Sequence, residues 1–343
     1  MSFGNHPVGL RADITRIAAF TVKAPCPQAP DAYNAGTHSE GTASMPDIKD
    51  LNGLAGIAPG LYAYLSCLVF WFGACMGSFL NVCIYRVPRE ESVITPRSHC
   101  PHCNTPIAWH DNIPLVSFLV LKARCRKCGG AISPRYIIVE ALIAVLFVFV
   151  WLKLGTPQGA PLLGLTAVGS PWMIPIYWLA VFGLALGTFV DLEHMIIPDR
   201  VSLGGIVLGL TFSSLVPAMH GQPDPYGGFI VSLLGAGVGA GLLWGVALLG
   251  KLIFRKDAMG MGDIKLMGAI GAFLGWQAVA FTLMISSLLG AAVGLSLVAG
   301  GKKEMQSKIP YGPYIALAAL VWLLWGPTLW NAYINWLIPP QPL

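Results

Sequence analysis

The sequence predicts an all-α polytopic membrane protein with about eight transmembrane helical segments and a small hydrophilic domain between the first and the second. Three observations carry this. Of the 343 residues, 55% are hydrophobic and only 11% charged, with a mean hydropathy of +0.66, where a soluble domain would carry about 25% charge. Apolar runs of about 20 residues recur, each long enough for a hydrocarbon core of about 30 Å. The runs lack the polar alternation of barrel strands, and a bilayer interior admits only helices or closed barrels.

Residues 1–59 are polar, rich in Ala, Pro, Gly and Ser, and without periodicity; they read as a disordered tail. Ile14–Val22 is too short and too polar for a secretory signal, and Met45 offers an alternative start. The first span, within residues 60–85, is about Leu61–Tyr85. Residues 86–135 form the hydrophilic insertion, where Arg86, Arg89, Arg97, Lys122, Arg124, Arg126, Lys127 and Arg135 stand against Glu90, Glu91 and Asp111. The excess of basic residues places this segment in the cytoplasm. Residues 136–343 make up the membrane core, with spans at about Tyr136–Leu152, Trp172–Val190, Val201–Pro217, Tyr226–Gly250 and Tyr311–Leu337. Ile264–Gly300 is nearly uninterrupted in its apolar character, and as one helix it would measure roughly 55 Å, too long for a bilayer. A break at Gly275-Trp276-Gln277 divides it into a short helix, about Ile264–Leu274, and a full span.

Loop charges follow the same topology. Asp191–Arg200, Lys251–Lys265 and Lys302–Lys308 fall on the side of the basic insertion, while the loops near Gly155–Pro171 and Pro217–Gly227, with Lys153 as their single lysine, fall on the other. The formal net charge of +5 therefore reflects membrane topology and does not point to a nucleic-acid partner. No internal repeat is evident. No glycine-rich G-x-G-x-x-G loop follows a strand, which excludes a dinucleotide-type fold.

Cys100-Pro-His-Cys103 and Cys125-Arg-Lys-Cys128 are two CxxC pairs with 21 residues between them. Four thiolates so arranged suit a tetrahedral structural zinc. The insertion lacks an apolar core, so a metal would supply its folding free energy. A cytoplasmic position keeps thiols reduced and favours metal over disulfides; redox pairs or incidental thiols are the alternative. His99, His102 and His110 are nearby substitutes as ligands, more simply read as surface residues. Cys67, Cys75 and Cys83 fall in the first span and act as small apolar residues.

Two acids stand out. Asp191 closes the apolar run Ile174–Val190, and Asp263 lies in Gly260-Met261-Gly262-Asp263-Ile264-Lys265 at the head of another. An aspartate at a membrane helix centre costs roughly 2.5–3.5 kcal/mol, so such residues are usually functional. A pair of carboxylates sharing one proton hydrolyses peptides: the ionised partner takes a proton from water while the protonated one polarises the scissile carbonyl. Glycines beside Asp263 would let an extended substrate approach closely. The bland alternative is that each acid merely ends its helix at the interface. Asp199 reads as an N-cap of the following helix, Glu193 and His194 as solvated. Lys265 either snorkels to anionic lipid or acts on Asp263. Glu140, one turn into the second span, either snorkels or pairs with Arg135.

With these residues laid out, the chain resembles the type IV prepilin peptidases, bacterial membrane aspartyl proteases named for a Gly-x-Gly-Asp motif. The matching stretches are Gly77–Pro88, Cys100–Cys103, Asp111–Leu115, Cys125–Cys128, Arg135-Tyr136 with Glu140, Asp191 with Ile197-Pro198-Asp199, Gly260–Lys265 and Ile309–Pro313, in order over about residues 60–315. The resemblance implies removal of the short basic leader of prepilins and of type II secretion pseudopilins, at the cytoplasmic face of the bacterial inner membrane. It further implies methylation of the new N-terminus with S-adenosylmethionine as methyl donor, at a site whose residues the spacing does not identify. It maps the catalytic aspartates onto Asp191 and Asp263 and the metal-binding tetrad onto Cys100, Cys103, Cys125 and Cys128. Many relatives carry Gly just before the second knuckle, where this chain has Lys122-Ala123-Arg124, and the long tail also departs from the family pattern. Two other readings stand beside this one: a leader peptidase without methyl transfer, and a transporter or scaffold using its membrane acids as a proton relay.

Overall fold

The computed structural model describes residues 59–155, 170–255, 259–300 and 310–338. The expected tail up to residue 58, most of the loop after Gly155, part of the Lys251–Lys265 segment and the basic stretch Lys302–Lys308 lie outside the described residues. In chain order the helices are α1 (Pro59–Arg86), α2 (Val116–Val120), α3 (Arg135–Leu154), α4 (Met173–His194), α5 (Asp199–Leu215), α6 (Pro225–Phe254), α7 (Met261–Leu274), α8 (Trp276–Ala299) and α9 (Gly312–Leu337). Among the described residues there are no strands, only the isolated bridges His99–Pro106 and Arg124–Ala131. Among the described residues, eight long helices stand where about eight segments were expected.

Six of them, α1, α3, α4, α6, α8 and α9, are long and apolar enough to cross a membrane. This narrows the expected count of about eight spans. α5, with 17 residues, reaches roughly 26 Å and α7, with 14, roughly 21 Å, both short of a hydrocarbon core of about 30 Å. Large apolar residues such as Trp71, Leu234, Leu249 and Leu288 face outward, as a chain solvated by lipid tails allows. The protein is a multi-pass membrane protein.

Between apolar helices in lipid, close backbone packing replaces the hydrophobic effect, and small residues four apart make it possible. α1 meets α3 in this way: a β-carbon on Gly73 would lie 2.8 Å from the Ala144 Cα, and one on Gly77 2.6 Å from the Glu140 Cα. α6 meets α7 similarly, with Gly235 against Gly271. The predicted break falls at Gly275, which ends α7 and starts α8 with φ of +84°, a conformation glycine adopts without steric cost. One buried cluster joins α1, α3, α4 and α9 around Leu80, Ile143, Phe147 and Val181. A second joins α4, α6, α7, α8 and α9 around Leu243, Met267, Val279 and Ile315.

The structure corrects the reading of three charged residues. Lys153 does not belong to an outer loop: it is buried inside α3, and its Nζ donates to the Leu323 carbonyl of α9. Arg86 is buried at the end of α1, donating to the Ser92 and Pro96 carbonyls at 2.9 and 2.7 Å. Glu140 does not pair with Arg135. It stays buried, and its Oε2 accepts from the Leu115 amide at 2.7 Å, so it anchors the insertion to the membrane body. Arg135 pairs instead with Glu193, tying the start of α3 to the end of α4.

Candidate active site

Asp191 lies in the last turn of α4, Asp263 in the first turn of α7, and both are buried. The second of these turns is opened by Gly260, whose carbonyl accepts from the Asp263 amide at 3.2 Å. Two further elements close the site. The Gly312 amide, at the N-terminus of α9, donates to Asp191 Oδ2 at 2.9 Å, a charge-assisted bond to a carboxylate. Ile197, in the α4–α5 connection, forms the common wall: it lies 3.0 Å from a β-carbon built on Gly262 and 3.3 Å from one built on Gly312. Acids 72 residues apart in the chain therefore lie against one shared wall at one end of the helical body.

The surrounding residues partly redistribute the expected roles. Asp199 is the first helical residue of α5 and makes no capping bond; it pairs with Lys265 at 2.7 Å. Lys265 is thus engaged by Asp199, and this pair bridges α5 to α7 beside the site. Glu193 is exposed yet held by Arg135, so its solvated reading is only half right. Gly262 makes room for Ile197 rather than for open approach from outside, whereas a β-carbon on Gly260 would sit 3.3 Å from Asp263 Oδ2. An apolar cavity of about 180 Å³ lies between α4, α5 and α7, lined by Gly183, Val201, Gly205, Leu266 and Ile270 among others.

The insertion holds the second site. The Sγ atoms of Cys100, Cys103, Cys125 and Cys128 all lie within 4.8 Å of one another, and no histidine joins the group. The two CxxC pairs fold alike. In the first, the Cys100 amide donates to Thr105 O and the Asn104 amide to Cys100 O; in the second, Cys125 donates to Gly130 O and Gly129 to Cys125 O. Asn104 and Gly129, at matching places, both take positive φ. The Cys100 and Cys128 sulfurs are 3.8 Å apart, about the edge of a tetrahedron with bonds of roughly 2.3 Å to sulfur. This donor set fits a tetrahedral metal ion. His102 packs over Gly130, where a β-carbon would meet its ring at 2.7 Å. His99 faces the Arg97 carbonyl, and His110 faces Asp111. Asp111 in turn receives a fork of hydrogen bonds from Arg126, and that guanidinium holds its carboxyl below the usual carboxylate range. Ala123, just before the second knuckle, has φ of +56°, a region that costs a residue with a β-carbon roughly 1–2 kcal/mol.

Residues 71–154 match the bacterial peptidase A24 N-terminal domain, and residues 178–295 match the type IV leader peptidase family. A prepilin leader peptidase/N-methyltransferase of Aeromonas hydrophila is 38% identical over 310 residues, covering 82% of this chain and 98% of that protein. The chain belongs to the type IV leader peptidase family. Proteins of the same description from Stutzerimonas stutzeri and Myxococcus xanthus are 32% and 37% identical, over 81% and 71% of this chain and 96% and 67% of their own lengths. No solved structure matches. In this leader peptidase family member the first matched region contains the cysteine tetrad and Glu140, and the second contains both aspartates.

Sequence reasoning missed Ile197 as the shared wall and Gly312 as the donor to Asp191. Both lay inside stretches that carry the resemblance, but neither side chain bears chemistry, and a backbone amide leaves no compositional trace. The Arg135–Glu193 tie was equally invisible, because its partners belong to different helices.

Proposed function

We propose that this protein cleaves the basic leader of type IV prepilins and pseudopilins and methylates the new N-terminal amine. The observation that carries the cleavage reading is that buried Asp191, held by the Gly312 amide, and buried Asp263 flank the same Ile197 wall. In this reading one carboxylate, ionised, accepts a proton from the attacking water. The other, protonated, donates a hydrogen bond to the scissile carbonyl and later returns a proton to the leaving amine. The Gly312 amide fixes the Asp191 carboxylate, so the pair needs little reorganisation during reaction.

Methyl transfer is supported by the relatives described as prepilin leader peptidase/N-methyltransferases. S-adenosylmethionine is the proposed methyl donor, and Zn2+ the metal held by Cys100, Cys103, Cys125 and Cys128. A bound zinc would supply folding free energy to the insertion. Residues 60–85 then form the first span, 86–135 the metal-binding, methyltransferase-associated loop, and 136–343 the peptidase core. We place the protein in the bacterial inner membrane with this face in the cytoplasm, on the basic excess of the insertion. Incubating membranes that contain the protein with a candidate prepilin, with and without S-adenosylmethionine, tests both halves by mass. Loss of the leader supports the peptidase, and a methyl increment only with the donor supports the transferase. An unprocessed prepilin contradicts the proposal.

Gly312 gives a sharper prediction. A β-carbon there would lie 2.8 Å from Asp191 Oδ2, so Gly312→Ala must displace the carboxylate. A misplacement on this scale is expected to lower kcat for leader removal about 100-fold with KM little changed, measured on a purified, folded variant.

A further inference from the structure

Pro327 lies inside α9. Proline has no amide hydrogen, so the carbonyl four residues earlier, that of Leu323, is left without its helical partner. In a bilayer such a carbonyl has no water to turn to. The side chain that reaches it is Lys153 of α3, whose Nζ donates to the Leu323 oxygen. Lys153 is 4% exposed, and no ion pair with a carboxylate is found for it among the described residues. A lysine one residue from a helix end would ordinarily extend to the interface. Here it turns to the one carbonyl that Pro327 vacates.

From these contacts we infer that Lys153 is a positioning residue for leader cleavage, fixing the seat of α9 so that the Gly312 amide meets Asp191. This rests on the peptidase reading above. Eleven residues of continuous helix, roughly 16 Å, separate Gly312 from Leu323, and Ile315, Ala316, Ala318, Ala319 and Leu323 on that stretch are buried. A packed helix moves as a unit, so a shift at Leu323 reaches Gly312. The Gly312–Asp191 contact has no slack, because even a methyl group would not fit there. α3 is also tied to α4 by Arg135 and Glu193, so Lys153 completes a frame that holds the two helices meeting at Asp191. The tail of the frame is far from the reacting atoms, and Lys153 touches none of them.

The test uses the full-length protein in membranes with four variants: Lys153→Met, Lys153→Arg, Pro327→Ala and the double variant Lys153→Met/Pro327→Ala. Leader cleavage of a prepilin and methyl transfer to an already trimmed pilin are measured separately. Lys153→Met is expected to lower kcat for cleavage about tenfold or more with KM nearly constant, since misplacement far from the chemistry acts through orientation. Methyl transfer to trimmed pilin is expected to stay unchanged, because trimmed pilin carries no leader amide for the carboxylate pair to hydrolyse. Lys153→Arg, which keeps a donor, retains most cleavage. Pro327→Ala restores an amide for Leu323, so the double variant recovers most of the rate that Lys153→Met loses. Wild-type cleavage by Lys153→Met, a double variant no faster than the single one, or parallel loss of both activities overturns the inference. If Lys153→Met does not accumulate, accumulation of an active double variant supports it and failure of both overturns it. Failure of the peptidase reading itself is distinct: the wild-type protein would then not cut, or Asp191→Asn would still cut.

Discussion

Asparagine in place of Asp191 or of Asp263 is expected to stop leader removal, with kcat falling by about 10⁴-fold or more for either change alone. The two carboxylates divide one task, since one must be ionised while the other carries a proton. Removing either role removes the reaction, so the double variant should be scarcely worse than each single one. The substitution is nearly isosteric, and in Asp191→Asn the carboxamide oxygen could still accept the Gly312 amide, so the loss would not come from repacking. Replacing one buried acid by a neutral amide should leave the unfolding temperature unchanged or raised, which separates lost chemistry from lost structure. Methyl transfer to trimmed pilin should persist in both variants. The measurement is the mass of a co-expressed prepilin. If both variants still trim it, the carboxylates serve another end, and the proton-relay reading gains.

Much of this was legible in the sequence because membrane helices write long, one-dimensional signals. The break at Gly275, the short α7 and the order of spans follow from run lengths and a single glycine. The cysteine tetrad was legible because metal coordination fixes residue type and local spacing together. What escaped depends on contacts between distant segments. Glu140 was expected at the interface or beside Arg135, but the Leu115 amide satisfies it. Asp199 looked like a cap from its place before an apolar run, yet Pro198 takes the capping position and Lys265 takes the charge. Lys153 looked like a loop residue because charge statistics assume that lysines seek water, while the carbonyl vacated by Pro327 offers a buried alternative. The α1–α3 seam at Gly73 and Gly77 was readable as small residues four apart, but only a partner helix shows that the spacing is used.

Removing the metal should produce the other large effect, and it should fall unequally on the two activities. Within residues 87–134 only Cys100 and Ser117 are buried, too little apolar surface to hold such a segment folded. Structural zinc contributes roughly 10–16 kcal/mol in small thiolate sites, far more than the remaining ties can replace. Those ties include the Asp111–Arg126 pair, the Arg86 bonds to the Ser92 and Pro96 carbonyls, and the Leu115 amide on Glu140. Cys100→Ser or Cys125→Ser, or treatment with a strong chelator, is therefore expected to unfold the insertion, seen as rapid proteolysis between α1 and α3. Methyl transfer should be lost with it. Cleavage should fall less, because Asp191, Asp263, Ile197 and Gly312 are held by α4, α7, α9 and the α4–α5 connection, none of which belongs to the insertion. Metal analysis of the purified protein should find about one zinc per chain. A chain without zinc whose insertion nevertheless resists protease would mean that the thiols are not ligands, and that Glu140 and Arg86 hold the segment on their own.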